Sequence, residues 1–252
     1  GGGSSKPGAN VMTGNTLKVT TAGNGARTIN NFEKMAFVLG SGINSGDTML
    51  RVNTQNTAQI FDWNKIDVTG IETWMTGRSG MNRVILYDGN GNALTLNQYS
   101  DTMTVDGDYE YGVHTNTTTP NATTATATQI YFDGNKFQNA TATPTTGSTT
   151  DICAGGSTYG NTTNHNTLTL KDNAGTPLDF AGARAGYTKA QNGGSEHNTL
   201  NLLTGGSVTK GYAGYTEGVH LLVNPKVSAA VDTSKNADAK NNVVNIKGGT
   251  LN

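Results

Sequence analysis

The chain has 252 residues, 17 Lys and Arg against 18 Asp and Glu, and only 14% charged positions, where an average soluble domain carries about 25%. A protein that holds nucleic acid through its phosphates needs clustered Lys and Arg, which this balance excludes, and no apolar run approaches the ~20 residues of a membrane-spanning helix. Gly (34), Thr (41) and Asn (30) fill 105 positions; all three are poor helix formers, so a helical protein is excluded too.

Disorder is the first alternative to weigh. Leu, Ile, Val and Phe number 45, close to the composition of disordered chains, but a net charge of −1 is far from the high charge that keeps such chains open. A β-rich fold that repeats itself reconciles the two, because each unit buries its apolar stripe on the next. The lone Cys153 rules out an intrachain disulfide framework and leaves the redox compartment undecided.

In chain order, residues 1–30 read as a linker remnant, Gly1 to Ser5, and one repeat unit that carries Asn15-Thr-Leu-Lys-Val19. No initiator Met, basic n-region or apolar h-region opens the chain. Residues 247–252 stop in the middle of a repeat, so the expectation is a piece of a longer protein. Residues 31–113 show no repeat but good strand patterns: Met35–Leu39, Thr48–Val52, Gln59–Val68, Arg83–Tyr87 and Ala93–Leu96. They predict an embedded β-rich module with Asp88-Gly-Asn-Gly-Asn92 as a hairpin turn. Residues 114–150 hold 14 Thr, with Asp133 and Lys136 the only charges. This Thr/Asn-rich bridge predicts one hairpin, Gln129–Phe132 joined to Lys136-Phe137 through Asp133-Gly-Asn135.

Residues 151–252 repeat. Asn166-Thr-Leu-Thr-Leu170 returns 32 residues later as Asn198-Thr-Leu-Asn-Leu202 and again as Asn242-Val-Val-Asn-Ile246, and His165 and His197 precede the first two copies. Ala154-Gly-Gly-Ser157, Ala185-Gly-Tyr-Thr188 and Ala213-Gly-Tyr-Thr216 keep step, as do Gly205-Gly-Ser-Val208 and Gly248-Gly-Thr-Leu251. Period-2 patterning with Gly at corners and a period near 30 predicts coils stacked along one axis, a parallel β-helix (β-solenoid) of class all-β. Coils about 4.8 Å apart would place the repeated Asn in a ladder of side-chain amides and stack Leu, Val and Ile inward. A long inserted loop near 218–239 enlarges one unit, and Ser228–Asp238 reads as a short helix within it.

The pattern Asn-x-apolar-x-apolar, Gly-Gly-x-apolar, then a strand such as Ala213-Gly-Tyr215, resembles the passenger repeats of large Gram-negative autotransporter (type V secreted) adhesins. Thr28-Ile-Asn-Asn-Phe-Glu-Lys-Met-Ala-Phe-Val-Leu39, followed by Gly46-Asp-Thr-Met-Leu50 and Val84-Ile-Leu-Tyr-Asp88-Gly-Asn-Gly-Asn-Ala93, is similar to a segment embedded in such passengers. The resemblance covers residues 12–110 and 151–252. It implies a secreted stalk displayed at the bacterial cell surface, with a host or neighbouring-cell surface protein or glycan as partner. It also implies membrane contact only through another part of the parent protein. No barrel domain is present in the sequence, and the long loop interrupts the array.

Chemistry has few places to sit. His165 and His197 are repeat-equivalent, but a metal bridge would need third and fourth ligands and only Glu196 is near in sequence, so no metal is expected. Asp101, Asp106, Asp108 and Glu110 lack the spacing of a calcium loop and read as a hairpin turn. Asp179 and Arg184 are charges within the repeats that do not recur, no Gly-x-Ser-x-Gly elbow exists, and Cys153 has no His beside it; no catalysis and no cofactor are expected. The Asn-x-Thr triplets at Asn116, Asn121, Asn139 and Asn161 are the accidents such a composition produces. Tyr159, Tyr187, Tyr212 and Tyr215 lie in or beside the Ala-Gly strands and form the candidate contact face, for sugar rings or protein; an inward aromatic stack fits the same residues. The expectation is therefore a structural and adhesive stalk, with a self-assembling fibre or surface-layer subunit, joined through open solenoid ends, as the alternative.

Overall fold

The three Asn-x-apolar-x-apolar segments fold as strands and pair residue for residue in a computed structural model of the chain, which describes residues 4–54, 60–116, 124–189, 193–217, 238–247 and 250–251. Strands, numbered along the chain, make up most of the regular structure, and the α-helix α1 (Ile71–Met75) is five residues long. The chain is all-β, with several sheets that are mostly parallel. The expected loop near 218–239 and helix at Ser228–Asp238 fall almost wholly outside the described residues.

In the C-terminal half, β13 (Thr141–Ala142), β16 (Thr167–Leu170), β19 (Thr199–Leu202) and β22 (Val243–Ile246) form one parallel sheet. Leu168 faces Leu200, 32 residues on, and Leu200 faces Val244, 44 residues on across the enlarged unit, so the sequence repeat, not a fixed spacing, sets the strand register. A second sheet joins β14 (Ser148–Ser157), β17 (Phe180–Thr188), β20 (Ser207–Val208), β21 (Gly211–Thr216) and β23 (Thr250–Leu251). Gly155, Gly186 and Gly214 align across it. The short strands β15 (Thr163–Asn164) and β18 (Ser195–Glu196) pair as a third. Leu168, Leu170, Leu200, Ala154, Ala183 and Ala185 are fully buried in a common core.

The asparagines tie these strands together. Asn166 donates its backbone N–H (3.0 Å) and its Nδ2 (2.9 Å) to the Asn198 side-chain oxygen. Asn198 does the same to Asn242, at 2.9 and 3.1 Å. The second amide hydrogen of each reaches back to a carbonyl: Asn166 to Phe137 at 3.0 Å, Asn198 to Thr163 at 3.2 Å, Asn242 to Ser195 at 2.7 Å. At the other end of the row Ala140 N–H donates to Asn166 Oδ1 at 2.9 Å. A buried amide costs free energy unless its donors and acceptor are met, and here they are met by copies of the same residue.

Two further positions follow from that row. A Cβ at Gly155, Gly186 or Gly214 would overlap the side chain of Asn166, Asn198 or Asn242 respectively, so these glycines lie inside strands, where the amide rests on bare backbone. Corners such as Gly205-Gly206 are the expected use of glycine, and this is a second one. The residue before each ladder position has a left-handed backbone: Asn139 (φ 52°), His165 (53°), His197 (50°) and Asn241 (53°). Asn and His are among the non-glycine residues that tolerate this conformation best, which accounts for the paired histidines.

The N-terminal half follows the same rules with less sequence repetition. The strands β1 (Thr16–Val19), β3 (Lys34–Val38) and β6 (Ile66–Thr69) pair in parallel, with Leu17, Met35 and Ile66 in register. The strands β2 (Asn24–Ala26), β4 (Thr48–Val52) and β7 (Met81–Asp88) form a second parallel run, and β5 (Ile60–Asp62) pairs in parallel with β8 (Leu94–Asn97). The sheet that β1 opens thus runs on through β3 and β6, across residue 31, where the non-repeat stretch of sequence begins. The position of Asn15 passes to Glu33, which, like Lys34, donates its backbone N–H to the Asn15 carbonyl, so the sequence signal is lost while the register persists. The segment Gln59–Val68 is broken by a 3-10 turn at Trp63–Lys65, where Asp62 accepts from Asn64 N–H at 2.9 Å.

Four strands then run antiparallel: β9 (Thr102–Asp106), β10 (Tyr109–Thr115), β11 (Thr124–Ala127) and β12 (Gln129–Lys136). They extend the six-stranded sheet in the order β2-β4-β7-β12-β10-β9, while β11 pairs with β8. Two hairpin expectations are corrected. Asp88-Gly-Asn-Gly-Asn92 does turn, with Asn92 N–H on Gly89 O at 2.8 Å, but β7 and β8 belong to different sheets. Asp133-Gly-Asn135 does not turn: it lies within β12, because Arg83 on the neighbouring strand neutralises Asp133 and Glu110 takes the Asn135 amide.

The ladder predicts a thermodynamic cycle. Asn198→Ala leaves buried partners unmet and is expected to cost about 3 kcal/mol, and Gly186→Ala about 1–3 kcal/mol by overpacking. In urea unfolding the double variant should be destabilised by clearly less than the sum, because the new methyl enters the space the amide vacates.

Candidate functional site

The four tyrosines expected along one face are divided by the fold. Tyr187, Tyr212 and Tyr215 gather on β17 and β21, with ring centroids 5.8 Å apart for Tyr187–Tyr215 and 4.8 Å for Tyr212–Tyr215. Between the strands the Arg184 guanidinium carbon lies 4.6 Å from the ring centroids of both Tyr187 and Tyr215, a cation–π arrangement. Its Nη2 pairs with Asp151 at 2.6 Å. Tyr187 is buried and donates to Glu217, and burial pushes its phenol well above the usual tyrosine range. Tyr212 is exposed. The trio is therefore neither a solvent-facing row nor an inward stack.

Tyr159 lies elsewhere, over a polar cluster where the antiparallel strands meet β14. Period-2 alternation puts Glu110, Gly112 and His114 of β10 beside Asn135, Asp133 and Tyr131 of β12. The Tyr159 ring lies 4.8 Å from the His114 ring, and its hydroxyl donates to Asp133 Oδ2 at 3.2 Å. Arg83 holds Asp133 with two bonds, of 2.7 and 2.9 Å, and its guanidinium carbon sits 4.0 Å from the Tyr131 centroid. Burial pushes Tyr131 up to about 12 and Tyr159 higher still. His114 Nδ1 bonds to Asp101, while its buried Nε2 has no hydrogen-bond partner. A histidine–carboxylate pair is the beginning of a catalytic constellation, but among the described residues no hydroxyl or thiol is hydrogen-bonded to Nε2 for the imidazole to deprotonate.

Glu110 is the centre of the joint. It is fully buried and accepts four bonds of 2.7 Å: from Asn135 Nδ2 and Thr158 N–H on Oε1, and from Ser157 Oγ and Asn161 Nδ2 on Oε2. Four donors satisfy both oxygens of a carboxylate, which lets a charge be buried without a cation beside it. Sequence reading placed Glu110 in a turn with Asp101, Asp106 and Asp108. The turn is Gly107-Asp108 alone, and Glu110 belongs to the strand after it. The signal that marks it is the alternation Glu110, Gly112, His114, three positions of one face.

The remaining candidates are structural in their contacts. His165 and His197 stack at 5.3 Å with 21° between rings, and Asn241 Nδ2 lies 3.3 Å from His197 Nε2. Among the described residues no three His, Cys, Asp or Glu side chains converge as metal ligands. Asp179 accepts from Ser207 N–H and Oγ, which holds its carboxyl below the usual range, while Arg184 is bound to Asp151. Burial pushes the Cys153 thiol up. Of the Asn-x-Thr positions, Asn116, Asn139 and Asn161 use their amides on Thr128, Asp108 and Glu110, and Asn121 lies outside the described residues. No family model, curated protein or solved structure matches the chain.

Glu110→Gln replaces an acceptor-only group with one that turns its own N–H₂ toward two of the four donors. The expected loss is about 3 kcal/mol, read as a fall in the urea midpoint with the slope unchanged.

Proposed function

We propose that the chain is a length of parallel β-helix from the stalk of a secreted adhesin displayed on a bacterial surface, structural and adhesive in role and without catalysis. The observation that carries this reading is the register: residues equivalent in the sequence repeat are hydrogen-bonded neighbours across parallel strands, in three sheets of the C-terminal half. A unit that satisfies its amides with the next copy of itself extends by addition, as solenoid repeats do. The resemblance of the Asn, Gly-Gly and Ala-Gly-Tyr motifs to autotransporter passengers supports display at a cell surface, and low charge spares identical coils mutual repulsion.

A second reading, a subunit that assembles into fibres, is favoured by β22. Its Val244 and Ile246 occupy the positions of the buried Leu200 and Leu202, yet they are 44% and 56% exposed. A sheet edge with apolar residues is a template for another strand, whether from a second copy or from a further unit of the same chain.

Inserting two extra copies of residues 166–197 tests the solenoid directly. The proposal expects a folded, monomeric protein whose maximum dimension in small-angle scattering grows by about 10 Å, two strand spacings. Loss of cooperative folding or an unchanged dimension would count against it, and filaments that lengthen with concentration would favour the fibre.

A further inference from the structure

Between α1 with the Trp63 turn on one side and β9–β10 on the other runs a groove that the tyrosine row did not anticipate. Its deeper end is a cavity of about 630 Å³, inside the range of small-ligand sites. A second hollow of about 290 Å³ adjoins it and shares Ile71 and Tyr111 with it. Period-2 geometry sets Tyr109 and Tyr111 on one face of β10, and Trp63 lines the far end. Ile71 and Met75 make the apolar floor of the deep end, and Glu72, Asp106 and Asp108 rim it.

We propose that this groove binds a neutral oligosaccharide, which would supply the adhesive partner of the stalk and rests on that reading. Sugar rings present C–H faces that stack on tyrosine and tryptophan and a periphery of hydroxyls that donate to carboxylates. The rim offers such acceptors: none of its three carboxylates is in an ion pair among the described residues, and Asp108 gives only its Oδ1 to Asn139 Nδ2. Three negative charges repel sialylated or sulfated chains, which selects uncharged sugars. A cationic peptide is the competing class. The chain's own Lys136, whose Nζ is 5.5 Å from the Tyr109 ring centroid, would repel such a peptide by like charge and leaves a neutral ring unaffected.

The test applies the full chain to an array of neutral glycans, with hits measured by calorimetry and Trp fluorescence and with decalysine as the contrasting probe. The expected result is saturable binding of at least one neutral oligosaccharide, weakened about tenfold or more by Tyr109→Ala and by Asp106→Asn. Both variants should keep the circular dichroism of the parent, and Asp106→Asn its urea midpoint as well. The proposal is overturned if no neutral glycan binds, if binding is unchanged in both variants, or if decalysine alone binds and loses affinity in Asp106→Asn. Glycan binding by a chain that fails the repeat-insertion test would overturn the stalk and leave the groove standing. A chain that passes that test but binds no glycan would overturn the groove alone.

Discussion

An asparagine side chain offers two donors and an acceptor oxygen, and at Asn198 all of them are used along the direction in which strands follow one another. The oxygen accepts from Asn166, and the amide reaches Asn242 and the Thr163 carbonyl. That single arrangement dictates the residues around it. The facing strand must offer a glycine, Gly186, because a methyl would overlap the amide. The preceding residue, His197, must turn left-handed to bring the amide inward. The residue two places on, Leu200, then points to the core. Buried amides that satisfy one another are worth more than isolated pairs, and unmet they are costly, so each unit constrains the next one's register as well as its own.

Glu110 does for the antiparallel insertion what the amides do for the repeats. The parallel runs of the two halves are separated by strands of the opposite sense, and a joint between them has no repeated sequence to hold it in register. A buried carboxylate that gathers donors from β12 and from the 157–161 segment fixes it by a different means. The groove lies against the opposite face of β10, bounded by Tyr109 and Tyr111. One strand thus carries the structural carboxylate inward and the proposed ligand surface outward, and the alternation of a β-strand is enough to keep the two chemistries apart.

Much of the C-terminal half was legible because its repeats are literal: Asn166 and Asn198 have the same neighbours at the same spacing, and the repeat sets the register. The role of the glycines facing them was hidden, because a contact between residues 186 and 198 leaves no local pattern. In the N-terminal half the register persists with different residues, Asn15 giving way to Glu33, so periodicity could not show it. Asp133-Gly-Asn135 misled for a related reason. Its turn composition is overridden by Arg83 and Glu110, partners 50 and 25 residues away. The groove was invisible for want of any motif; Tyr109 and Tyr111 are an alternating pair like many others until α1 is placed opposite.

The claim that everything else rests on is that the repeated asparagines are buried and bonded to one another. Side-chain amide hydrogen exchange followed by NMR reads this directly, with Asn245, whose amide bonds to Asn201 on the exposed surface, as an internal reference. The N–H₂ groups of Asn166 and Asn198 should exchange at least about a hundredfold more slowly than that of Asn245, since they open only with the surrounding sheet. Exchange of all three at a common rate would contradict the ladder.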